Sequence, residues 1–254
     1  MQETFLILDT ETTKEGEGMP YQSVFDIGWV ISDKEGNILV ERSYMVEQFK
    51  FQALNKKRAF LIDENVVDGK IYFTKLLEKR IIVSKWANII GQLKKDCKKY
   101  NVAYIGAYNL GFDTRVIAKT HFFFSGEDFD FFDNFFLIDI YPVAAYTVLN
   151  TPEYKEFAKT HNLLTEKGNY QTGAEATYKF LFNDTNYIEE HTALQDSIDE
   201  TKILHFLLNQ EKEIPIHAYS INPQAWRIVN EENLNKKKSW HNSFSLVWLY
   251  FRIA

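Results

Sequence analysis

The sequence is poor in cysteine, and this scarcity excludes a disulfide framework. Its 254 residues contain one cysteine, Cys97, so a cysteine-based zinc site is excluded as well. No apolar run reaches the roughly 20 residues that a membrane-spanning helix needs. The first residues also lack the basic, apolar and small-residue order of a secretory signal. We therefore expect a soluble cytoplasmic protein with no membrane partner.

Positive charge is also scarce. The net charge is -6 and the pI is about 5.6, which argues against the broad basic surface that non-specific duplex binders carry. A local groove that accepts the end of a single strand is still compatible with this charge. Hydrophobic residues make up 45% of the chain and aromatic residues 16%, enough for a full core. The length allows one large domain, or one domain with an appendage.

The stretch from Phe5 to Thr13 dominates the sequence because an apolar run ends there in two carboxylates. Such a run is typical of a buried strand. Asp9 and Glu11 are two positions apart, so they point to the same face of that strand. Two like charges held side by side are tolerated best when a cation lies between them. The pair therefore suggests one half of a metal site.

The chain after this strand has the pattern of a mixed α/β protein. Segments 24–32 and 38–46 have strand character around a polar turn at 33–37, which predicts three antiparallel strands. Strands and helices then alternate, as they do in α/β folds. The predicted elements are a helix near 86–100, a strand at 102–107 with a helix to about 119, a strand at 137–140, a helix from the capping box at 172–175 to about 182, and a helix at 191–209.

Three segments allow more than one interpretation. Segment 48–83 is expected to hold short helices that form an inserted lobe or lid. Segment 121–136, rich in phenylalanine, fits a surface loop pinned by aromatics, or a platform on which bases stack. We assign 1–210 to the main domain and 211–254 to an extension. Its apolar end, 244–253, would pack on the domain or dock a partner.

Three further residues extend the chemistry of Asp9 and Glu11. Asp113 follows the strand at 102–107, and His191 precedes Asp196 by five positions. Taken singly, these residues could be a helix cap, a helix-start residue and a surface charge. Taken together, four carboxylates and a histidine match the needs of two-metal hydrolysis. Mg²⁺ and Mn²⁺ prefer carboxylate oxygens, and an imidazole titrates close to neutral pH.

These motifs resemble those of the DEDDh 3′→5′ exonucleases. The similarity is carried by the segments Asp9-Thr10-Glu11, Asn109-Leu110-Gly111-Phe112-Asp113 and His191-x-x-x-x-Asp196. It covers about residues 4–209, and Thr192 stands where the tyrosine variant of the family carries its tyrosine. The resemblance implies a ribonuclease-H-like α/β fold. In that fold a mixed sheet of three antiparallel strands continues with parallel strands and is flanked by helices.

The resemblance also implies roles for individual residues. The ligands of two Mg²⁺ or Mn²⁺ ions would be Asp9, Glu11, Asp113 and Asp196. His191 would be the general base, and the residues nearest the terminal nucleotide would be Thr12, Thr13, Asn109 and Phe112. Four other carboxylates lie near the motifs or near predicted strands. Asp199 and Glu200 are interpreted as supporting or solvated groups, Asp139 as a reserve ligand, and Asp26 as a structural residue away from the strand tip.

The implied activity is metal-dependent release of 5′-mononucleotides from the 3′ end of single-stranded DNA. Its setting would be replication proofreading or DNA processing in a bacterial or phage-infected cell, with a DNA polymerase or replication protein as a possible partner. Two alternatives stay open. One is an exoribonuclease of the oligoribonuclease type. The other is a polymerase-associated binding subunit, in which docking matters more than catalysis.

Overall fold

The computed structural model describes residues 3–13, 22–49, 69–210 and 213–230. Three predicted features lie outside the described residues: the loop at 14–21, most of the inserted lobe, and the apolar end at 244–253.

A six-stranded mixed sheet forms the centre of the molecule. Its strand order is β4-β3-β2-β1-β5-β6. The strands are β1 (Thr4–Thr12), β2 (Val24–Ser32), β3 (Ile38–Val46), β4 (Ile82–Ser84), β5 (Val102–Ala107) and β6 (Phe136–Asp139). β1, β2 and β3 are antiparallel neighbours, whereas β5 runs parallel to β1, and β6 parallel to β5. The predicted α/β class and the switch from antiparallel to parallel pairing are confirmed.

Helices cover both faces of this sheet. The helices are α1 (Gly69–Leu77), α2 (Trp86–Lys99), α3 (Leu110–Ser125), α4 (Ile140–Ala144), α5 (Pro152–Thr160), α6 (Ala174–Phe182), α7 (Ala193–Leu208) and α8 (Trp226–Asn230), with a π-helix at Ala145–Leu149 and short 3₁₀ turns at Glu47–Phe49, Phe131–Asn134 and Ile216–Tyr219. Alternate residues of β1 enter different cores, since Leu6 and Leu8 pack with α2 and α3 whereas Ile7 packs with α4 and α7. Every residue of β2 is buried. Among the described residues, no helix combines the length and apolar character needed to cross a membrane.

The bounds of several elements match their predictions. Segments 24–32, 38–46 and 102–107 are the strands β2, β3 and β5. The loop predicted from residue 121 is wrong in its first part, because α3 continues to Ser125 and ends at Gly126 in the left-handed region (φ 73°). The rest of that segment packs its aromatic rings on one another, and these rings are Phe129, Phe131, Phe132 and Phe135.

Other elements were missed or displaced. The described part of 48–83 contains α1 and also β4, which pairs in parallel with β3. α5 was not predicted, although Thr151 caps it by accepting a hydrogen bond from the Tyr154 amide. The last long helix begins at Ala193, two residues later than predicted. In the extension, Ala225 and Val229 are buried in the core that contains Ile7, while the domain boundary itself stays a prediction.

Candidate active site

The carboxyl end of β1 places two acidic side chains on one face of the sheet. Asp9 and Glu11 lie opposite Gly28 and Asp26 of β2, and both are half-buried. Burial raises the pKa of Asp9 well above its usual value, and neighbouring carboxylates, first among them Asp113, raise it further. Negative charge is therefore crowded and poorly solvated at this strand end.

The turn after β5 brings a third carboxylate to the same place. Asp113 lies in the first turn of α3 and is 2% exposed. The Thr10 hydroxyl of β1 donates a hydrogen bond to its Oδ1 at 2.7 Å. Burial nevertheless raises the pKa of Asp113 to about 7. Because β5 is the parallel neighbour of β1, α3 starts beside the end of β1, where ligands commonly bind in open α/β sheets.

α7 contributes the fourth carboxylate. Asp196 is buried in its first turn. Within the part of the chain that the structure describes, its Oδ1 atom has no hydrogen-bond partner. Burial raises the pKa of Asp196, and the charges of Glu189 and Glu11 add to the shift. A buried oxygen of this kind is unfavourable unless a proton or a cation compensates it.

His191 lies just before α7, in the left-handed region of backbone conformation (φ 55°). Such a conformation costs a non-glycine residue about 1–3 kcal/mol and persists only where surrounding contacts fix it. The imidazole Nδ1 lies 3.8 Å from Glu189 Oε2. Glu11, His191 and Asp196 each offer one potential ligand atom, and these atoms lie within 4.8 Å of one another.

Gly28 explains how α7 comes so close to β1. A Cβ atom at this position would lie 2.3 Å from the Leu194 amide nitrogen, so only glycine leaves room for the first turn of α7. Ser197 Oγ donates a hydrogen bond to the Gly28 carbonyl at 3.2 Å. The Ala193 amide donates to Asp26 Oδ2 at 3.1 Å. β2 thus holds the helix end that delivers Asp196.

The other carboxylates take different places. Asp139 accepts hydrogen bonds from backbone amides of four residues, which are Asn109, Leu110, Tyr141 and Asn222. These bonds make it a structural residue at the start of α3 and α4 rather than a free reserve ligand. Asp26 is structural, as predicted, but it lies opposite Glu11 and not away from the strand tip. Asp199 is buried beside Tyr187, whose hydroxyl donates to it at 3.0 Å.

Glu200 is buried beside the cluster, which agrees with its interpretation as a supporting group and not with that as a solvated one. It is 3% exposed and accepts a hydrogen bond from the Tyr108 amide at 3.0 Å. Burial raises its pKa well above the usual value, with the Asp113 charge as the next cause. The sequence already indicated this position, because Glu200 follows Asp196 by four residues on α7 and residues with that spacing lie on the same face of a helix.

The residues predicted to contact the substrate differ in burial and in backbone conformation. Thr12 and Thr13 are buried, and the backbone amide and carbonyl of Thr13 pair with Ser23 and Gln22. Asn109 precedes α3 in the left-handed region. Phe112 is half-buried beneath the Arg115 guanidinium, which lies 5.3 Å from the ring centre. Their contact with a substrate stays a prediction.

The cluster fits a divalent metal. Carboxylate oxygens and an imidazole nitrogen are suitable ligands for such ions. Among the described residues Asp196 Oδ1 has no hydrogen-bond partner, and the pKa values of Asp9, Asp113 and Asp196 are raised, so a cation between these side chains would be electrostatically favourable.

Comparison with solved structures identifies similar folds. E. coli exonuclease I in complex with single-stranded DNA and zinc superposes with a TM-score of 0.52 and 13% identity, over 83% of this chain and 41% of that one. The complex of E. coli exonuclease I with a dA16 oligonucleotide gives 0.51 and 15%, over 83% and 41%. A product-bound structure of exonuclease I gives 0.51 and 14%, over 83% and 44%.

This likeness confirms the predicted ribonuclease-H-like fold, with its mixed sheet between layers of helices. The chain spans less than half the length of these exonuclease I chains. No family model and no curated protein sequence matches the chain.

Proposed function

We propose that this protein is a metal-dependent 3′→5′ exonuclease that acts on single-stranded DNA. The observation that carries the proposal is one cluster at the ends of β1 and β5. It combines four acidic residues from three separate elements with His191, in the order that the DEDDh motifs require. Such a cluster suits phosphodiester hydrolysis, because the reaction needs a proton acceptor and a means of balancing charge at phosphorus.

Each residue of the cluster has a role in this proposal. Asp9, Glu11, Asp113 and Asp196 would hold two Mg²⁺ or Mn²⁺ ions. When bound, such ions stabilise negative charge on the attacking and leaving oxygens of an in-line displacement. The His191 imidazole would take the proton of the attacking water, since it lies beside Glu11 and Asp196 at the open end of the sheet.

Two findings support single-stranded DNA as the substrate. The similar folds include exonuclease I in complexes with single-stranded DNA. The acidic character of this chain, with a net charge of -6, also disfavours broad contact with a duplex. Both findings are compatible with any form of DNA processing that begins at a single-stranded 3′ end. A role in replication proofreading and a polymerase partner stay predictions.

The test uses two oligonucleotides of one sequence, one DNA and one RNA, each labelled at the 5′ end in one sample and at the 3′ end in another. With Mg²⁺ or Mn²⁺, we expect the 5′-labelled DNA to shorten as a ladder and the 3′ label to appear first as a mononucleotide. EDTA should stop both changes. A ladder on RNA alone would support the proposed reaction but show that the substrate is RNA and not DNA.

Asp9→Ala is the matched inactive control. It should abolish hydrolysis, while circular dichroism and thermal unfolding show that the fold is retained. Full activity in this variant would contradict the proposed centre. If wild type and variant both leave DNA and RNA intact in the presence of either metal, the exonuclease proposal is wrong and a binding role becomes the better explanation.

A further inference from the structure

Helix α1 reaches the chain around His191 through two side chains. Tyr72 and Lys75 are three residues apart, so they share one face of α1. The Tyr72 hydroxyl donates to Asp26 Oδ2 at 2.8 Å. The same oxygen accepts the Ala193 amide. α1 therefore contacts the support of the first residue of α7.

Lys75 makes the second connection. Its Nζ donates to Thr192 Oγ1 at 2.6 Å and forms an ion pair with Glu190 Oε1. Thr192 Oγ1 in turn donates to the same Glu190 oxygen at 2.7 Å. The three groups form a closed triangle of polar contacts. Lys75 and Thr192 are both buried, so the triangle lies within the protein rather than on a freely moving surface.

This triangle brackets His191. Glu190 precedes it and Thr192 follows it, and both are held by the one ammonium group of Lys75. Tying the residues on either side of a single position restricts the backbone dihedrals of that position. His191 has φ 55°, which a non-glycine residue adopts only when its surroundings fix it. The triangle supplies such a constraint.

We propose that Lys75 is a positioning residue that holds the His191 imidazole beside Glu11 and Asp196. The inference rests on the proposed function, because it assigns Lys75 an effect on the rate through the general base. Lys75 itself would touch neither the substrate nor the reacting atoms. This role extends the active centre to α1, a helix outside the three motifs.

Loss of the Lys75–Glu190 ion pair should not by itself unfold the protein. The Glu190 side chain is 35% exposed, so its carboxylate keeps access to water when Lys75 is replaced. Lys75→Met should therefore fold, since it leaves no fully buried charge without a partner. Thr192→Val offers a second route, because it removes the hydroxyl at almost constant shape, and Thr192→Ser restores that hydroxyl.

The first measurement is a double-mutant cycle on the DNA oligonucleotide with Mn²⁺. We expect Lys75→Met to lower kcat by about 10–100-fold and to leave KM and the Mn²⁺ affinity of the DNA-free protein within about twofold. In a His191→Ala background, Lys75→Met should cause no further loss. Thr192→Val should reproduce the loss and Thr192→Ser should not. Wild-type kcat in Lys75→Met, or an equal loss with and without His191, would overturn the proposal.

The second measurement does not depend on nuclease activity. In protein labelled with ¹⁵N-histidine, Lys75→Met should shift or broaden the imidazole and amide signals of His191. Lys34→Met is the control, because Lys34 pairs with Glu35 in the exposed turn between β2 and β3 and its loss leaves no buried charge. That variant should leave the His191 signals and kcat unchanged. Unaltered His191 signals in Lys75→Met would refute the positioning role, whereas an inactive wild type with altered signals would refute only the proposed function.

Discussion

Asp9 lies directly opposite Gly28 in the β1–β2 ladder, and the first turn of α7 rests on that glycine. The backbone of Ala193 and Leu194 occupies the space that a side chain would need. The absence of a side chain on one strand therefore allows Asp196 to approach the acidic end of its neighbour. The geometry of the cluster depends on a residue that carries no functional group.

Gly28→Ala tests this dependence. The new Cβ would lie 2.3 Å from a backbone nitrogen, and backbone cannot move aside as a flexible side chain can. We expect α7 to be displaced, the free energy of unfolding to fall by about 1–3 kcal/mol, and exonuclease activity to fall at least tenfold. Urea unfolding and the oligonucleotide assay measure the two effects.

Gly91→Ala is the matched control for that experiment. Gly91 lies inside α2, and a Cβ there would meet nothing within 4 Å. Alanine in a helix interior is favoured over glycine by about 1 kcal/mol, so this variant should be more stable and equally active. If Gly28→Ala behaved in the same way, close approach of α7 would not be needed for the site.

The metal-free protein should lose stability as the pH rises. Asp113 keeps its proton up to about pH 7 when folded, but loses it near pH 4 when unfolded. Between these values the folded state binds more protons, so the free energy of unfolding falls by up to about 1.4 kcal/mol per pH unit for this group. Urea titrations in EDTA from pH 5 to pH 8 measure the decline.

Asp113→Asn supplies the comparison. The amide oxygen can still accept the Thr10 hydroxyl, but the side chain no longer ionises. The decline with pH should become shallower, and the metal-free variant should be more stable than wild type at pH 8. Mn²⁺ should stabilise wild type more at pH 8 than at pH 5, because it replaces the protons. Equal pH profiles for the two proteins would contradict this explanation.

His191→Ala tests the general base. The rate should fall by the roughly 10²–10⁴-fold typical of a lost proton acceptor. Metal binding should be retained, because the four carboxylates are still present. Calorimetric titration with Mn²⁺ should show affinity close to that of wild type. An unchanged rate would remove His191 from this role.

Asp139→Ala should lower the stability of the protein without removing metal binding. Its carboxylate accepts hydrogen bonds from four backbone amides. Each buried amide that loses its partner lowers the free energy of unfolding by about 1–3 kcal/mol. We expect a loss of at least 3 kcal/mol in urea unfolding, with metal affinity preserved wherever the protein is folded. Asp128→Ala, at an exposed position, should change neither quantity. A fully stable Asp139→Ala protein without metal affinity would instead make Asp139 a ligand.

The sequence allowed the strands and the cluster to be predicted because both depend on local patterns. Apolar runs bounded by turns located β2, β3 and β5, and the carboxylates stand where strands end or helices begin. The end of α3 was misjudged because phenylalanines suggested an irregular segment, whereas the helix stops only where Gly126 adopts the left-handed conformation.

The remaining features depend on contacts between distant residues. A lone glycine in a strand signals close backbone approach, but it does not say that α7 is the neighbour of Gly28. Nothing in the sequence near Lys75 connects it with Glu190 and Thr192, which lie more than a hundred positions away. The position of Asp139 near the end of a strand made it a reserve ligand, and only the fold reveals the four backbone amides that donate hydrogen bonds to it.

The order of the chain has a consequence for protein synthesis. The six strands found among the described residues have all been synthesised once Asp139 has been added, whereas Ala193 meets Asp26 across 167 positions. A nascent chain that stops between these points contains the sequence of all these strands and three of the four proposed metal ligands, but it lacks Asp196 and His191. Such a chain lacks two members of the proposed catalytic centre, so we expect exonuclease activity to begin only after α7 has been synthesised and has packed against β2.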